Sequence, residues 1–149
     1  MDSMHLRVVG DDELLNHLRR MLGSWRRKQF EMAEAGSYVV EEELQRNYSQ
    51  GPIFSRSALL YRSVHAFVEV LGDRTRSGAG TPEIYAAVLE TGMVIEGKPY
   101  LHFLTRDGVW VTTRQVRIPP FRAAELAADE AEPQVRGIYE RGVRTFVEG

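Results

Sequence analysis

The chain has 149 residues, of which 43% are hydrophobic and 27% charged, and its formal net charge is -2. This length suits one domain over residues 1–149, and the small net charge gives no overall attraction to nucleic acid or membrane. Cysteine is absent, which excludes disulfides and thiolate chemistry. No apolar run approaches the roughly 20 residues that a membrane-spanning helix needs, so we expect an intracellular soluble protein.

The first third of the chain predicts a short strand followed by two helices. Residues 4–9 are partly β-branched and predict the strand. The first helix has an apolar stripe made of Leu14, Leu18, Met21 and Trp25. Gly23 and Ser24 interrupt that pattern and predict a break before a second, longer helix. Its stripe consists of Phe30, Ala33, Ser37, Val40, Leu44 and Tyr48.

The middle of the chain changes from strand to loop to helix. Residues 64–71 place apolar groups on both alternating faces and predict a strand. Residues 72–82, GDRTRSGAGTP, contain no large apolar residue and predict a mobile loop. Residues 83–91 suit a short helix that Gly92 closes.

The C-terminal third carries the strongest hairpin signal. Strands over residues 101–106 and 109–118 flank Asp107-Gly108, which predicts a type I′ turn. Pro119 and Pro120 end the second strand because proline cannot donate to a ladder. A helix over residues 121–131 follows, and Pro133 separates it from a last helix. The predicted fold is α+β: an antiparallel sheet of about four strands, with a long helix pair packed on one face and a C-terminal helix.

No motif in the sequence favours catalysis. The four histidines, at positions 5, 17, 65 and 102, lack the spacing of a zinc site. Glu41, Glu42 and Glu43 are consecutive helical residues about 100° apart, so they cannot share one carboxylate site. Nucleotide-binding glycine motifs and the nucleophile elbow are missing. We therefore predict no enzyme activity, no catalytic residue, no cofactor and no metal.

Basic residues cluster at two places in the sequence. Arg19, Arg20, Arg26, Arg27 and Lys28 lie near the junction of the first two predicted helices, and Arg74 and Arg76 lie in the predicted loop. Contact with phosphates or with an acidic partner is one interpretation. Favourable placement near a helix C-terminus and ordinary solubility is the other. The second is favoured, because aromatic residues do not alternate with these cations as a nucleic-acid stacking platform requires.

Four segments, in order and over most of the chain, carry a family resemblance. They are MHLRVVGDDELLNHLRRM, AGSYVVEEELQRNY, GPIFSRSALLYRSV and IYAAVLETG. Together they resemble the small head-tail joining or tail-completion proteins of long-tailed bacteriophages, a family of tail components distantly related to Mu-like virion morphogenesis proteins. Ala58 stands where that family usually has glycine. Ile118-Pro119-Pro120-Phe121 keeps the prolines and aromatic of the family's next motif, but Arg122 follows the aromatic instead of preceding a proline.

The resemblance implies a structural virion protein that joins the head connector to the tail by assembling a ring around the DNA channel. Its expected partners are further copies in a ring such as a hexamer, connector or stopper proteins, and tail-tube or terminator proteins. Packaged DNA would pass through without sequence-specific binding, and no membrane is involved. The protein would be assembled in the bacterial host cytoplasm and reside in the neck or tail of the virion.

The resemblance and the residue chemistry together give two sets of candidate residues. The candidate subunit or partner interface comprises Ile118, Pro119, Pro120, Phe121, Arg122, Tyr85, Leu89 and Glu90. The candidate channel or loop contacts are Glu34, Glu41, Glu42, Arg74 and Arg76. The proline pair would fix the angle between sheet and helix. The simpler interpretation, compatible with the first, is that the prolines end an edge strand and Phe121 fills the core.

Two alternatives stay open. A tail terminator that caps the tail tube belongs to the same structural class. A small nucleic-acid-binding or regulatory module, acting through the arginines of residues 19–28 and Arg74, belongs to a different class.

Overall fold

A computed structural model describes residues 11–50, 59–105 and 107–148 of the chain. Its helices are α1 (Asp11–Gln50), α2 (Leu59–Arg62), α3 (Ile84–Thr91) and α4 (Ala123–Glu148). Its strands are β1 (His65–Leu71), β2 (Arg74–Gly80), β3 (Met93–Leu104) and β4 (Trp110–Ile118). The predicted strand at residues 4–9 lies outside the described residues.

The predicted pair of N-terminal helices is one helix. α1 runs for 40 residues without a break at Gly23 or Ser24, a length of about 60 Å at 1.5 Å per residue. One glycine in a helix costs about 1 kcal/mol, and this is not enough to interrupt a ladder that continues on both sides. Trp25, directly after the pair, packs its ring 4.9 Å from that of Phe146 and fixes this part of α1 on α4.

The C-terminal helix is also continuous, and the predicted division at Pro133 is wrong. α4 contains Pro133 in its interior. Proline removes one ladder bond at a cost of about 3 kcal/mol, and packing against α1 on both sides of the proline offsets this cost. Ala127 and Ala131 are buried before it, and Gly142 is buried after it.

α1 and α4 run antiparallel. Asn47 near the end of α1 donates a hydrogen bond to the carbonyl oxygen of Ala123, while Trp25 meets Phe146 at the other end. Glycines allow close approach in between: a Cβ on Gly142 would collide with Met32, and one on Gly36 would touch Val135.

The main core lies at the C-terminal end of α1, where helices α1 to α4 converge. Its buried members are Leu44, Tyr48, Leu60, Val64, Ala86, Leu89, Ala123 and Ala127. The predicted stripe on the second half of α1 is confirmed for Ala33, Ser37, Leu44 and Tyr48, which are buried. Phe30, by contrast, is 40% exposed.

The four strands form two sheets of two strands each, and the predicted single sheet is wrong. β1 pairs with β2, and β3 pairs with β4, both antiparallel. The first hairpin packs on α1, and its β1 strand confirms the strand prediction. The second hairpin packs chiefly within itself and is called the arm below.

Strand β2 replaces the predicted mobile loop. Gly78 pairs with Phe67 across the hairpin. The Phe67 ring covers Gly78, and its Cζ atom would lie 3.2 Å from a Cβ built on that glycine. The guanidinium of Arg76 lies 5.9 Å from the centre of the same ring. An aromatic residue opposite glycine restores the side-chain cover that the glycine lacks, so this glycine-rich segment pairs as a strand.

The arm is longer than predicted, and its turn is of another type. β3 already begins at Met93, and the segment from Gly97 to Tyr100 bulges out of the ladder with Pro99 inside it. At the tip, the N–H of Thr105 donates to Val109, the N–H of Gly108 donates to Thr105, and Gly108 has φ +79°. These bonds define a three-residue loop with glycine in the left-handed region, in place of the predicted two-residue turn.

Among the described residues, no helix is both long and apolar enough to cross a membrane.

Candidate functional site

The arm leaves the body at a joint formed by residues 118–122 and the end of α3. Ile118 ends β4, and Pro119 and Pro120 continue without backbone N–H groups. The N–H of Phe121 then donates to the carbonyl oxygen of Leu89 over 2.6 Å, and the Phe121 side chain packs on the main core. The joint is therefore held by one strong backbone hydrogen bond and one anchored aromatic ring.

Gly92 lets the other strand of the arm start at the same point. Its φ of +70° and ψ of 167° lie in a region that is essentially restricted to glycine. A Cβ there would stand 2.7 Å from the Ile118 carbonyl oxygen and 2.9 Å from the Pro120 nitrogen. The start of β3 and the end of β4 therefore lie in close backbone contact at the base of the arm.

The carboxylate of Glu90 connects three helices at the joint. One oxygen of Glu90 accepts two hydrogen bonds. The first comes from the backbone N–H of Ala124, in the first turn of α4, at 3.0 Å, and the second comes from the Tyr48 hydroxyl of α1, at 3.2 Å. A negative charge is favoured at a helix N-terminus, where backbone N–H groups are otherwise unpaired. Burial raises the pKa of the Tyr48 phenol, and the charge of Glu90 and their hydrogen bond raise it further. The hydroxyl consequently remains a donor.

Arg122 takes an unusual backbone conformation directly before α4. Its φ is 54°, in the left-handed region that non-glycine residues rarely occupy. Its carbonyl oxygen accepts the N–H of Leu126, and its guanidinium pairs with exposed Glu125 at 3.5 Å. The chain thus turns sharply from Phe121 into α4.

The structure gathers the candidate interface residues at this joint but gives them different surroundings. Leu89 is buried in the core, and Glu90 and Phe121 are half-buried and bonded within the chain. Tyr85 is 72% exposed. The other exposed members, which are available to a partner, are Pro119, Pro120 and Arg122.

The arm exposes large apolar side chains on both of its faces, which the sequence analysis did not identify as a site. Strand alternation and register place Met93, Ile95, Leu104, Trp110, Val116 and Ile118 on one face, together with His102. Trp110 is 63% exposed, and its ring stacks 4.8 Å from that of His102. The opposite face carries Val94, Leu101, Phe103 and Val111. The apolar residues of segment 93–96 were a usable signal, but the bulge hid their continuity with the predicted hairpin.

The candidate channel residues lie on two elements. Glu42 is exposed and pairs with Arg46 at 3.5 Å, and Glu41 accepts a hydrogen bond from Gln45. Glu34 lines a groove together with Phe67. The Arg76 guanidinium lies 5.9 Å from the centre of the same Phe67 ring. Arg74 and Arg76 are exposed on β2. Glu34 therefore shares a groove with the ring beside which Arg76 lies, while Glu42 pairs with Arg46 on the surface of α1.

The basic cluster of α1 borders an open cleft against the end of α4. Arg20, Arg27 and Lys28 line it, together with Glu31 and Phe146. Lys28 pairs with Glu31 at 3.7 Å. This cleft brings several of the predicted phosphate contacts of α1 together beside an aromatic ring.

In the parts of the chain that the structure describes, no group of three or more His, Asp or Glu residues is arranged to hold a metal ion. Comparisons with protein-family models, with curated proteins and with solved structures found no match.

Proposed function

We propose that this protein is a structural component of a long-tailed bacteriophage virion that joins the head connector to the tail. It acts by assembling with further copies into a ring around the DNA channel. The observation that carries the proposal is the arm, a hairpin that packs chiefly within itself and exposes apolar side chains on both faces. The sequence resemblance to head-tail joining proteins supports the same assignment.

The arm has the physical properties of a surface that another molecule completes. A two-stranded hairpin is marginally stable alone in water, and exposed apolar patches of this kind mark interaction sites. Full burial of an exposed large apolar side chain contributes roughly 1.5–3 kcal/mol. Leu104 is 49% exposed and Trp110 on the same face is 63% exposed, so covering them would supply part of that free energy for each. At about 3.3 Å per residue, the nine residues of β4 give the arm a length of roughly 30 Å, far enough to reach a neighbouring subunit.

A ring requires an asymmetric contact, in which the arm of one copy docks on a different surface of the next copy. Such heterologous contacts repeat around an axis and close into a ring when the rotation allows. The joint supports closure because Gly92, Pro120 and the Phe121–Leu89 bond fix the direction of the arm. A tail terminator would use the same geometry.

The test is the oligomeric state of the purified protein, measured by light scattering after size exclusion and by negative-stain imaging. The proposal expects a closed ring with a central hole, or ring closure when the connector protein is added. A monomer in both conditions would contradict it.

The basic cleft favours one second candidate, a nucleic-acid-binding module. Arg20, Arg27 and Lys28 converge beside Phe146 there. Binding of a DNA duplex that falls steeply with salt and disappears in Arg20→Ala/Arg27→Ala would favour this candidate. Arg114→Ala/Arg117→Ala, which replaces two exposed arginines on β4, is the matched control for loss of two positive charges.

A further inference from the structure

The two hairpins are separate sheets within one chain, so each described strand has one neighbour in its sheet. A hairpin of two strands is marginal in water, whereas a sheet of three or more strands can be stable. A strand edge binds a further strand through its backbone N–H and carbonyl groups. A joined sheet that contains both types of hairpin would therefore need two copies of the chain.

A groove runs along the edge of β1 that faces away from β2. Three consecutive residues of β1 line it, Ala66, Phe67 and Val68, and none of the described residues of β2 does. The opposite wall belongs to α1 and includes Glu34 and Tyr38. Tyr38 is 58% exposed. This space, called the edge groove below, thus has a strand edge on one wall and acidic and aromatic side chains on the other.

β4 is the strand of the arm that suits such a groove. β3 bulges between Glu96 and Leu101 and contains Pro99, which has no backbone N–H to donate. β4 extends over nine residues and contains neither proline nor glycine. Its charged residues are Arg114 and Arg117, and it has no acidic residue. The arm therefore offers one regular edge, and that edge is basic.

Charge matches one face of β4 to the edge groove. Arg114 lies on the face that also carries Trp110, and its guanidinium stands 5.6 Å from the centre of the Tyr100 ring. Glu34 in the edge groove is exposed and has the opposite charge. In the parts of the chain that the structure describes, neither Glu34 nor Arg114 forms an ion pair. Each can therefore supply the partner that the other lacks.

We infer that β4 of one copy adds to β1 of the next copy along the edge groove, with its Arg114 face toward α1. Backbone hydrogen bonds between the strands supply affinity, and Arg114 beside Glu34 selects the face. The inference rests on the proposed function, because it names the surface on which the arm docks. Arm and groove are different surfaces, so the contact is heterologous and leaves the second copy's arm free for a third copy.

Crosslinking tests this contact directly, because the chain contains no cysteine of its own. Tyr38→Cys/Thr112→Cys places one thiol in the edge groove and one on the Arg114 face of β4, and both charges stay in place. Treatment of the full chain with a bismaleimide, alone and with connector protein, should give covalent multimers on a denaturing gel. Glu140→Cys/Thr112→Cys, with one thiol on the exposed surface of α4, is the control and should remain chiefly monomeric.

Charge reversal tests the pairing across the contact. In the Tyr38→Cys/Thr112→Cys protein, Arg114→Glu should lower the crosslinked fraction at least several-fold, and adding Glu34→Arg should restore it. Arg117→Glu makes the same change on the opposite face of β4 and should leave the crosslinked fraction unchanged. Far-UV circular dichroism checks that each variant is folded.

The outcomes separate this inference from the proposed function. Rings of the Tyr38→Cys/Thr112→Cys protein that yield no multimers would overturn the groove contact and leave the ring proposal standing. Multimers that Arg114→Glu does not reduce would also overturn it. Multimers without closed rings would support the groove contact and contradict the ring. Neither rings nor multimers, with connector protein present, would contradict both.

Discussion

Glu90 accepts a hydrogen bond from the backbone N–H of Ala124 at 3.0 Å, so the end of α3 caps the first turn of α4. A side chain usually caps the helix that it precedes, whereas this carboxylate belongs to a different helix. The same oxygen binds the Tyr48 hydroxyl of α1 at 3.2 Å. The Glu90 carboxylate therefore links the start of α4 to both α3 and α1.

Replacing Glu90 should loosen the joint. Glu90→Ala removes the cap and the negative charge from the start of α4, and we expect the free energy of unfolding to fall by about 1–2 kcal/mol. Glu69→Ala, an exposed glutamate on β1, is the control and should change stability by less than about 0.5 kcal/mol. Urea denaturation measures both. Equal effects of the two variants would show that the capping bond does not contribute.

The raised pKa of Tyr48 predicts how stability depends on alkaline pH. The neutral phenol is favoured in the folded state, mainly by burial and then by Glu90. Because the folded pKa lies above the unfolded value of about 10, this contribution is complete below about pH 10 and is lost as the pH rises through the folded pKa. Between pH 10 and 11 the free energy of unfolding should fall less steeply for Tyr48→Phe than for the wild type. Tyr38→Phe, which removes a phenol that is 58% exposed, should retain the wild-type slope.

Two glycines should respond to alanine in opposite directions. Gly92→Ala introduces a Cβ in a glycine-only conformation and against Ile118 and Pro120, so it should lower the free energy of unfolding by about 1–3 kcal/mol. Gly23→Ala lies in the interior of α1 with open space around it and should raise stability by about 1 kcal/mol. Thermal denaturation distinguishes the two. A stable Gly92→Ala protein would contradict the close contact at the root of the arm.

Local patterns in the sequence predicted individual helices and strands better than they predicted which segments pack or pair with one another. The strand before Gly72 and the short helix before Gly92 are confirmed, because alternation and helix-end chemistry are local properties. Residues 74–80 could not be predicted as a strand, because their pairing depends on Phe67 lying over Gly78 across the hairpin. Pro133 and Gly23 were misinterpreted as breaks, since the packing that outweighs their local costs comes from distant parts of the chain.

Only part of the joint could be predicted from the sequence. The proline segment was predicted as a connection between strand and helix, and it lies between β4 and α4. The contacts of that segment with Gly92 and with the Leu89 carbonyl could not be predicted, because those residues lie far away in sequence. The apolar faces of the arm required the register of β3 with β4, and a bulge between Glu96 and Leu101 concealed that register from sequence reasoning.

The most direct test of the central claim is the assembly state of a variant whose arm is polar. Ile95→Ser/Trp110→Ser removes two exposed apolar groups from one face of the arm without touching the core. Leu59→Ser/Val70→Ser, which removes two other exposed apolar groups, serves as the matched control. By light scattering and negative stain, with connector protein present, we predict rings for the wild type and the control and none for the arm variant. Rings that form equally well with the polar arm would contradict the claim that the arm joins the subunits.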